Sequence, residues 1–176
     1  MKLSFLFLAL SLVMLQTGLS EEREHDWKPI VSSDSVFETH STSEGTVSDI
    51  NGNPVNFGEI LYVRAHGTGE MGLPLHHTNR YLKVEWGPHS HLLAVEDHND
   101  GHASEIYVYE ISLEKGNIQA KLVYHSPDND YDVHWTIEGW DIVHRTILLQ
   151  RAAYRDATEP GVKKIRAKIG TFRING

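Results

Sequence analysis

The sequence predicts an all-β protein, built as an antiparallel meander of two four-stranded units. Three observations predict this fold. From residue 81 onward, short runs rich in β-branched and aromatic residues alternate with turn signals. No segment after residue 20 shows the apolar period of a helix. Trp140 lies 54 residues after Trp86 in a similar pattern, which indicates an internal repeat over residues 81–125 and 135–174.

The first 20 residues have the composition of a secretory signal peptide. Lys2 precedes an apolar run over residues 3–15, and the small residues Gly18 and Ser20 follow it. The run is shorter than the about 20 residues that a membrane-spanning helix needs. We therefore expect a secreted or periplasmic protein with no transmembrane segment after cleavage. An uncleaved N-terminal anchor is the alternative.

Composition narrows the function classes. The chain has 176 residues, 24 acidic residues against 16 Lys plus Arg, a formal net charge of −8, no cysteine and 12 histidines. The absence of cysteine excludes disulfides, thiolate metal sites and a cysteine nucleophile. The acidic balance argues against nucleic acid as a partner. We expect residues 21–45 to be a polar linker or loosely attached segment, and residues 46–176 to form a single β domain.

The predicted strands follow one another with a turn at each join. Residues 51–54 (NGNP) are a turn signal, residues 59–65 (EILYVRA) a strand, and residues 66–74 a Gly-rich loop. The first unit has strands at residues 81–86, 91–97, 105–111 and 119–124, and the second has strands at residues 135–140, 146–154 and 163–174.

The faces of these strands predict how they pack. Residues 91–97 (HLLAVED) and 105–111 (EIYVYEI) are apolar on both faces, which is typical of strands covered on both sides. In the last strand Lys164, Arg166 and Lys168 share one face, opposite Ile165 and its apolar neighbours. This pattern predicts a half-solvated edge strand, on which lysine discourages pairing with other chains.

Residues 81–111 carry a family resemblance. Trp86, Pro88, the run Leu93-Ala94-Val95 and the run Ile106-Tyr107-Val108 match the blade repeat of TolB-like and WD40-like β-propellers. His89-Ser90-His91 replaces the usual Asp-Gly-Lys. The resemblance implies two blade-like four-stranded units and a small bacterial envelope protein. Because a propeller needs at least four blades, the units are expected to pack as a small sandwich or partial propeller, or to complete a ring as a homo-oligomer.

The histidines suggest a metal site only after strand geometry is applied. Seven residues of extended chain separate opposite ends of a strand by more than about 20 Å, so His89 and His91 cannot share an ion with His98 and His102. The meander instead collects one set of residues at a single rim. The candidate ligands for Zn²⁺ or another divalent metal are His76, His77, His98, Asp100, His102 and His125. Asp97, Asp128, Asp130, Asp132 and His134 lie near the same rim, whereas His144 belongs with His91 at the other end.

Other motifs give no catalytic assignment. The acidic run beginning at Asp128 has Val133 and Gly139 where an EF-hand needs Gly and Glu. Glu96 and Asp97 are adjacent in a strand and must face opposite ways, so they cannot act as a paired acid and base. No nucleophile elbow or phosphate-binding loop occurs.

The four tryptophans fall into two pairs. Trp86 and Trp140 are expected to be equivalent core anchors, and Trp27 and Trp135 could form an exposed aromatic rim for carbohydrate or peptide.

For function, we expect a noncatalytic binding module with no cofactor, whose partner is an unknown protein or cell-surface component. The alternative is a metal-binding protein or metal-dependent hydrolase that uses the His/Asp-rich rim.

Overall fold

A computed structural model of the chain describes residues 28–48, 54–88, 91–98, 103–127, 132–154 and 161–169. These residues form eleven strands and no helix, so the prediction of an all-β antiparallel fold is confirmed. The strands are divided among three sheets, which we name the first, middle and last sheet in chain order. The predicted signal peptide lies outside the described residues.

The first sheet arises from the part of the chain that the sequence characterised least. It has the order β1-β2-β3-β4. Its strands are β1 Ile30–Val31, β2 Phe37–Ser48, β3 Pro54–Ala65 and β4 Leu73–Thr78. The segment predicted as a linker or loose strand therefore supplies β1 and most of β2. Phe37 is fully buried and anchors this segment to the core.

The middle sheet contains the four strands predicted for the first unit, in the order β5-β6-β7-β8. The strands are β5 Leu82–Trp86, β6 Leu92–Asp97, β7 Glu105–Glu114 and β8 Asn117–His125. The turn between β7 and β8 has Lys115 at φ 52° and Gly116 at φ 84°. Two consecutive residues with positive φ define the tight hairpin turn that fits the twist of the flanking strands.

The last sheet has three strands in the described residues, in the order β11-β10-β9. They are β9 Val133–Asp141, β10 Thr146–Ala153 and β11 Gly161–Lys168. β11 lies at the edge of this sheet, with Lys164, Arg166 and Lys168 exposed and Ala167 buried. The predicted half-solvated edge strand is thus confirmed.

The middle sheet is covered on both faces, as the pattern of its strands predicted. All six residues of β6 are buried. Leu92 and Ala94 pack into the core shared with the last sheet. Leu93 and Val95 pack on the opposite face, into the core shared with Phe37 and the rest of the first sheet. Burying one leucine side chain contributes about 1.5–3 kcal/mol, so both cores stabilise the stack.

A bulge in β9 aligns Trp140 with the core. Leu148 pairs with Gly139 and Leu149 pairs with Ile137, so Glu138 is an extra residue in the ladder. An extra residue shifts the alternation of side chains by one position. Trp135, Ile137 and Trp140 therefore pack on the same core although their spacing is irregular.

Candidate functional site

Four histidines lie at one end of the sheets, which we call the histidine rim: His76, His98, His125 and His134. Two of them directly flank or end strands of the middle sheet, since His98 follows β6 and His125 ends β8. His134 packs against His98 with ring centroids 6.5 Å apart. His91 and His144 lie at the opposite ends of their strands, where His91 Nε2 is 2.5 Å from Asp34 Oδ2. The predicted division of these histidines between the two ends is confirmed.

His76 connects the first sheet to the middle sheet through a buried carboxylate. Its Nε2 is 2.9 Å from Asp97 Oδ2, and its Nδ1 is 2.9 Å from the Tyr109 hydroxyl. The Thr78 hydroxyl donates to the other oxygen of Asp97. In the tautomer whose Nε2–H donates to Asp97, Nδ1 accepts from the Tyr109 hydroxyl. Both nitrogens of His76 are therefore occupied within the protein.

A second carboxylate–imidazole pair continues this network outward. The rings of His76 and Tyr107 are 4.5 Å apart, and His125 stacks on Tyr107 at 4.4 Å. The Tyr107 hydroxyl donates to Glu105, whose Oε2 is 3.2 Å from His125 Nε2. Tyr107 thus contacts two imidazoles.

The two phenols of this network are poor acids. Burial and the nearby carboxylate of Asp97 raise the pKa of Tyr109 to about 12. Burial also raises the pKa of Tyr107, and its hydrogen bond to Glu105 raises it further. Because a phenol with a raised pKa stays protonated at neutral pH, both hydroxyls act here as hydrogen-bond donors rather than as nucleophiles.

Glu96 connects the middle sheet to the last sheet. Its Oε2 accepts from the backbone N–H of Ile137 at 3.2 Å and lies 3.4 Å from Lys83 Nζ, and its Oε1 is 2.9 Å from His98 Nε2. Burial alone would raise the pKa of Glu96. The hydrogen bonds from His98 and Ile137, together with the charge of Lys83, outweigh burial and hold the pKa below its ordinary value.

Glu96 and Asp97 therefore serve opposite faces of one strand. Asp97 faces β4 of the first sheet, and Glu96 faces β9 of the last sheet. This arrangement follows from the two-residue period of a strand, and it confirms the prediction that the two side chains point to opposite faces.

Exposed aromatic side chains remain at the rim after these pairs are formed. Tyr81 stacks on His98 with ring centroids 4.2 Å apart and an interplanar angle of 13°. Tyr154 meets His134 edge-on at 5.4 Å. We call Tyr81, His98, His134 and Tyr154 the aromatic row. It crosses from the middle sheet to the last sheet, and its end members Tyr81 and Tyr154 are 51% and 57% exposed.

The tryptophans are not part of the aromatic row. Trp86 donates its indole N–H to the carbonyl of Ile30 in the first sheet, and Trp140 donates to Glu85 in the middle sheet. Each therefore contacts the sheet that precedes its own, in accordance with equivalent anchoring roles. Trp135 is 2% exposed, which excludes it from the exposed aromatic rim considered for it, and Trp27 lies outside the described residues.

The predicted metal ligands are not brought together in the described part of the chain. His76, His98 and His125 each contact a different carboxylate, which is Asp97, Glu96 or Glu105 respectively. His77 is exposed and, next to His76 in β4, faces the other way. Within the described ranges no group of three or more His, Asp or Glu side chains is placed to hold a metal ion. Asp100 and His102 lie outside these ranges, so the six-residue site stays a prediction.

Sequence reasoning missed the aromatic row. Tyr81 and Tyr154 were included in predicted strands, but the structure places them one residue outside β5 and β10. Backbone hydrogen bonds hold both tyrosines at the rim, because His98 N–H donates to Tyr81 O and Tyr154 N–H donates to Asp132 O. An aromatic residue at a strand end beside a histidine-rich connection was the available signal.

Comparison of the chain with known protein families, curated proteins and solved structures finds no match. The structure supports an all-β protein of antiparallel sheets, and its described residues do not close a propeller. Across those same residues, no helix is long and apolar enough to cross a membrane.

Proposed function

We propose that the protein is a noncatalytic binding module of the periplasm or cell exterior, which uses the aromatic row to hold a cell-surface component. The row itself carries the proposal. It presents two half-exposed tyrosines on neighbouring sheets, of which Tyr81 stacks on His98 and Tyr154 meets His134 edge-on. Rigid aromatic side chains with a polar tip are the residues that binding surfaces favour, since they offer contact area at little cost in conformational entropy.

The hydrogen bonding of the rim supports a noncatalytic role. The nitrogens of His76 contact Asp97 and Tyr109, and Glu96 accepts from three donors. A general base needs a lone pair that can reach a substrate. In these networks the acids and imidazoles instead join one sheet to the next.

The proposal extends to the form of the fold and to the compartment. The three sheets are blade-like units stacked as a partial propeller, and the equivalent contacts of Trp86 and Trp140 with the preceding sheet support this relation. The N-terminal segment is a signal peptide, which would deliver the module to the surface component that it binds.

Cosedimentation tests the proposed function. The purified chain is mixed with washed envelope material from its source cells, and the bound fraction is measured against protein concentration. We expect saturable binding that a Tyr81→Ala/Tyr154→Ala double variant loses. The matched control is Tyr62→Ala, which removes a tyrosine stacked on His40 in the first sheet. A chain that stays in the supernatant at all concentrations would contradict the proposal.

A further inference from the structure

We propose that the ligand of the aromatic row is a neutral, hydroxyl-rich oligosaccharide. This inference rests on the proposed function and specifies the class of compound that the row binds. Three properties of the described residues lead to it: the orientation of the rings, the pairing of the nearby charges, and the small area of the row.

The orientation of Tyr81 suits a ligand with a flat apolar face. Its ring lies nearly parallel to that of His98, at an interplanar angle of 13°, so one face of Tyr81 is covered by the imidazole. The ring is nevertheless 51% exposed. A pyranose presents a face of C–H groups that can pack on such a ring, while its hydroxyls hydrogen-bond at the edges. Tyr154 repeats the exposed phenol on the neighbouring sheet.

The charges that contact His98 are already paired, which argues against an ionic ligand at the Tyr81 end of the row. Glu96 accepts a hydrogen bond from His98 and also contacts Lys83. The carboxylate of Glu96 and the ammonium group of Lys83 are therefore paired with each other at the Tyr81 end of the row. The chain as a whole has a formal charge of −8 and therefore repels polyanions, including acidic polysaccharides and nucleic acids.

The area of the row argues against a folded protein as the partner. A fully buried aromatic side chain covers about 150–250 Å², so two half-exposed tyrosines offer on the order of 200 Å² between them. A stable protein–protein interface needs roughly 800 Å² on each partner. A short oligosaccharide, whose rings are each contacted by one side chain, fits the smaller surface.

Titration of the purified chain with oligosaccharides tests the inference. The probes are cellotetraose, chitotetraose and maltotetraose as neutral ligands, with tetragalacturonate and tetralysine as the anionic and cationic controls. Binding is followed by calorimetry and by NMR shifts of the tyrosine ring protons. We expect at least one neutral probe to bind and shift the rings of Tyr81 and Tyr154, and neither charged probe to do so.

Variants of the two tyrosines assign the binding to the row. Tyr81→Ala should weaken the neutral probe by roughly threefold to tenfold, as expected for one lost ring contact, and Tyr81→Phe should bind nearly as the parent does. The double variant should show no measurable binding, while Tyr62→Ala binds normally. Thermal melting confirms that each variant is folded.

Two results would overturn the inference. One is that no neutral probe binds, and the other is that binding persists unchanged in the double variant. Neither result by itself removes the proposed function. If the chain still cosediments with envelope material through Tyr81 and Tyr154 but ignores oligosaccharides, the binding module stands and its ligand belongs to another class.

Discussion

The middle sheet contacts its two neighbours through two regions, which we call joints. The joints contain the same kinds of groups, but the carboxylate in each joint has different hydrogen-bond partners. In each joint an indole N–H reaches the preceding sheet at one end, from Trp86 or Trp140, and a buried carboxylate of β6 lies at the other. Asp97 is met by side chains of β4 in the first sheet. Glu96 is met by a backbone N–H of the last sheet.

This difference determines how each joint responds to substitution. A backbone donor such as Ile137 N–H survives every substitution except proline, whereas the side chains of His76 and Thr78 can be removed. The joint between the first and middle sheets should therefore be the more sensitive to polar substitutions, although β6 buries apolar side chains on both faces. The predictions below test that contrast.

The apolar parts of the two joints should contribute equally. Leu92 faces the last sheet and Leu93 faces the first sheet, and both are at most 1% exposed. Leu92→Ala and Leu93→Ala should each lower the free energy of unfolding by about 2–5 kcal/mol, through lost burial and the cavity left behind. Urea unfolding measures both values. A loss confined to one variant would show that one core contributes little.

The polar parts should differ. His76→Ala removes one of the two β4 side chains that contact the buried Asp97, and we expect a loss of about 2–3 kcal/mol. His98→Ala leaves Glu96 with Ile137 N–H and Lys83, and we expect about 1 kcal/mol. The same unfolding measurement compares them at pH 7. Equal losses would contradict the distinction between side-chain and backbone partners.

Acid should weaken the joint between the middle and last sheets through Glu96. Because the pKa of Glu96 is lowered in the folded state, its ionised form stabilises the protein above the ordinary carboxyl pKa of about 4.3. That contribution is lost as the pH falls below this value and through the folded pKa. We expect Glu96→Gln to be less stable at pH 7 and to lose less stability between pH 5 and 3.

The control for this pH profile is Glu138→Gln, which removes an acid paired with Lys164 on the exposed face of the last sheet. Surface pairs contribute about 0–1 kcal/mol, so its profile should follow that of the parent chain. If Glu96→Gln and the parent also gave parallel profiles from pH 7 to 3, the role assigned to Glu96 would be wrong.

The middle sheet could be predicted from sequence because its strands are short runs rich in β-branched and aromatic residues, with a turn signal at each join. The alternation along β6 fixes the opposite directions of Glu96 and Asp97, and the meander places His98 and His125 at one end. Those are local consequences of strand geometry. The partners of these side chains are contributed by other sheets, so sequence alone did not supply them.

Of the first sheet, the sequence predicted a strand only over residues 59–65, within β3, because the other strands depend on contacts with distant parts of the chain. β2 (FETHSTSEGTVS) is mostly polar, and its pairing with β3 holds it in place together with Phe37. Likewise, the inward position of Trp140 depends on the bulge at Gly139, and a bulge breaks the period on which sequence reasoning relies. The aromatic row also depends on contacts between two sheets, and residues 81 and 154 look in sequence like strand residues.

Divalent metal should produce the smallest effect. His76 uses both ring nitrogens within the joint between the first and middle sheets, and His98 is held by Glu96 in the other joint, so an ion would have to break both joints to gather these ligands. We therefore expect the melting temperature of tag-free protein to be unchanged by EDTA or by stoichiometric Zn²⁺. If Zn²⁺ raised the melting temperature, and His102→Ala or Asp100→Asn abolished that increase, the result would support the predicted metal site. Loss of the same rise in His76→Ala would further show that the joint between the first and middle sheets opens to bind it.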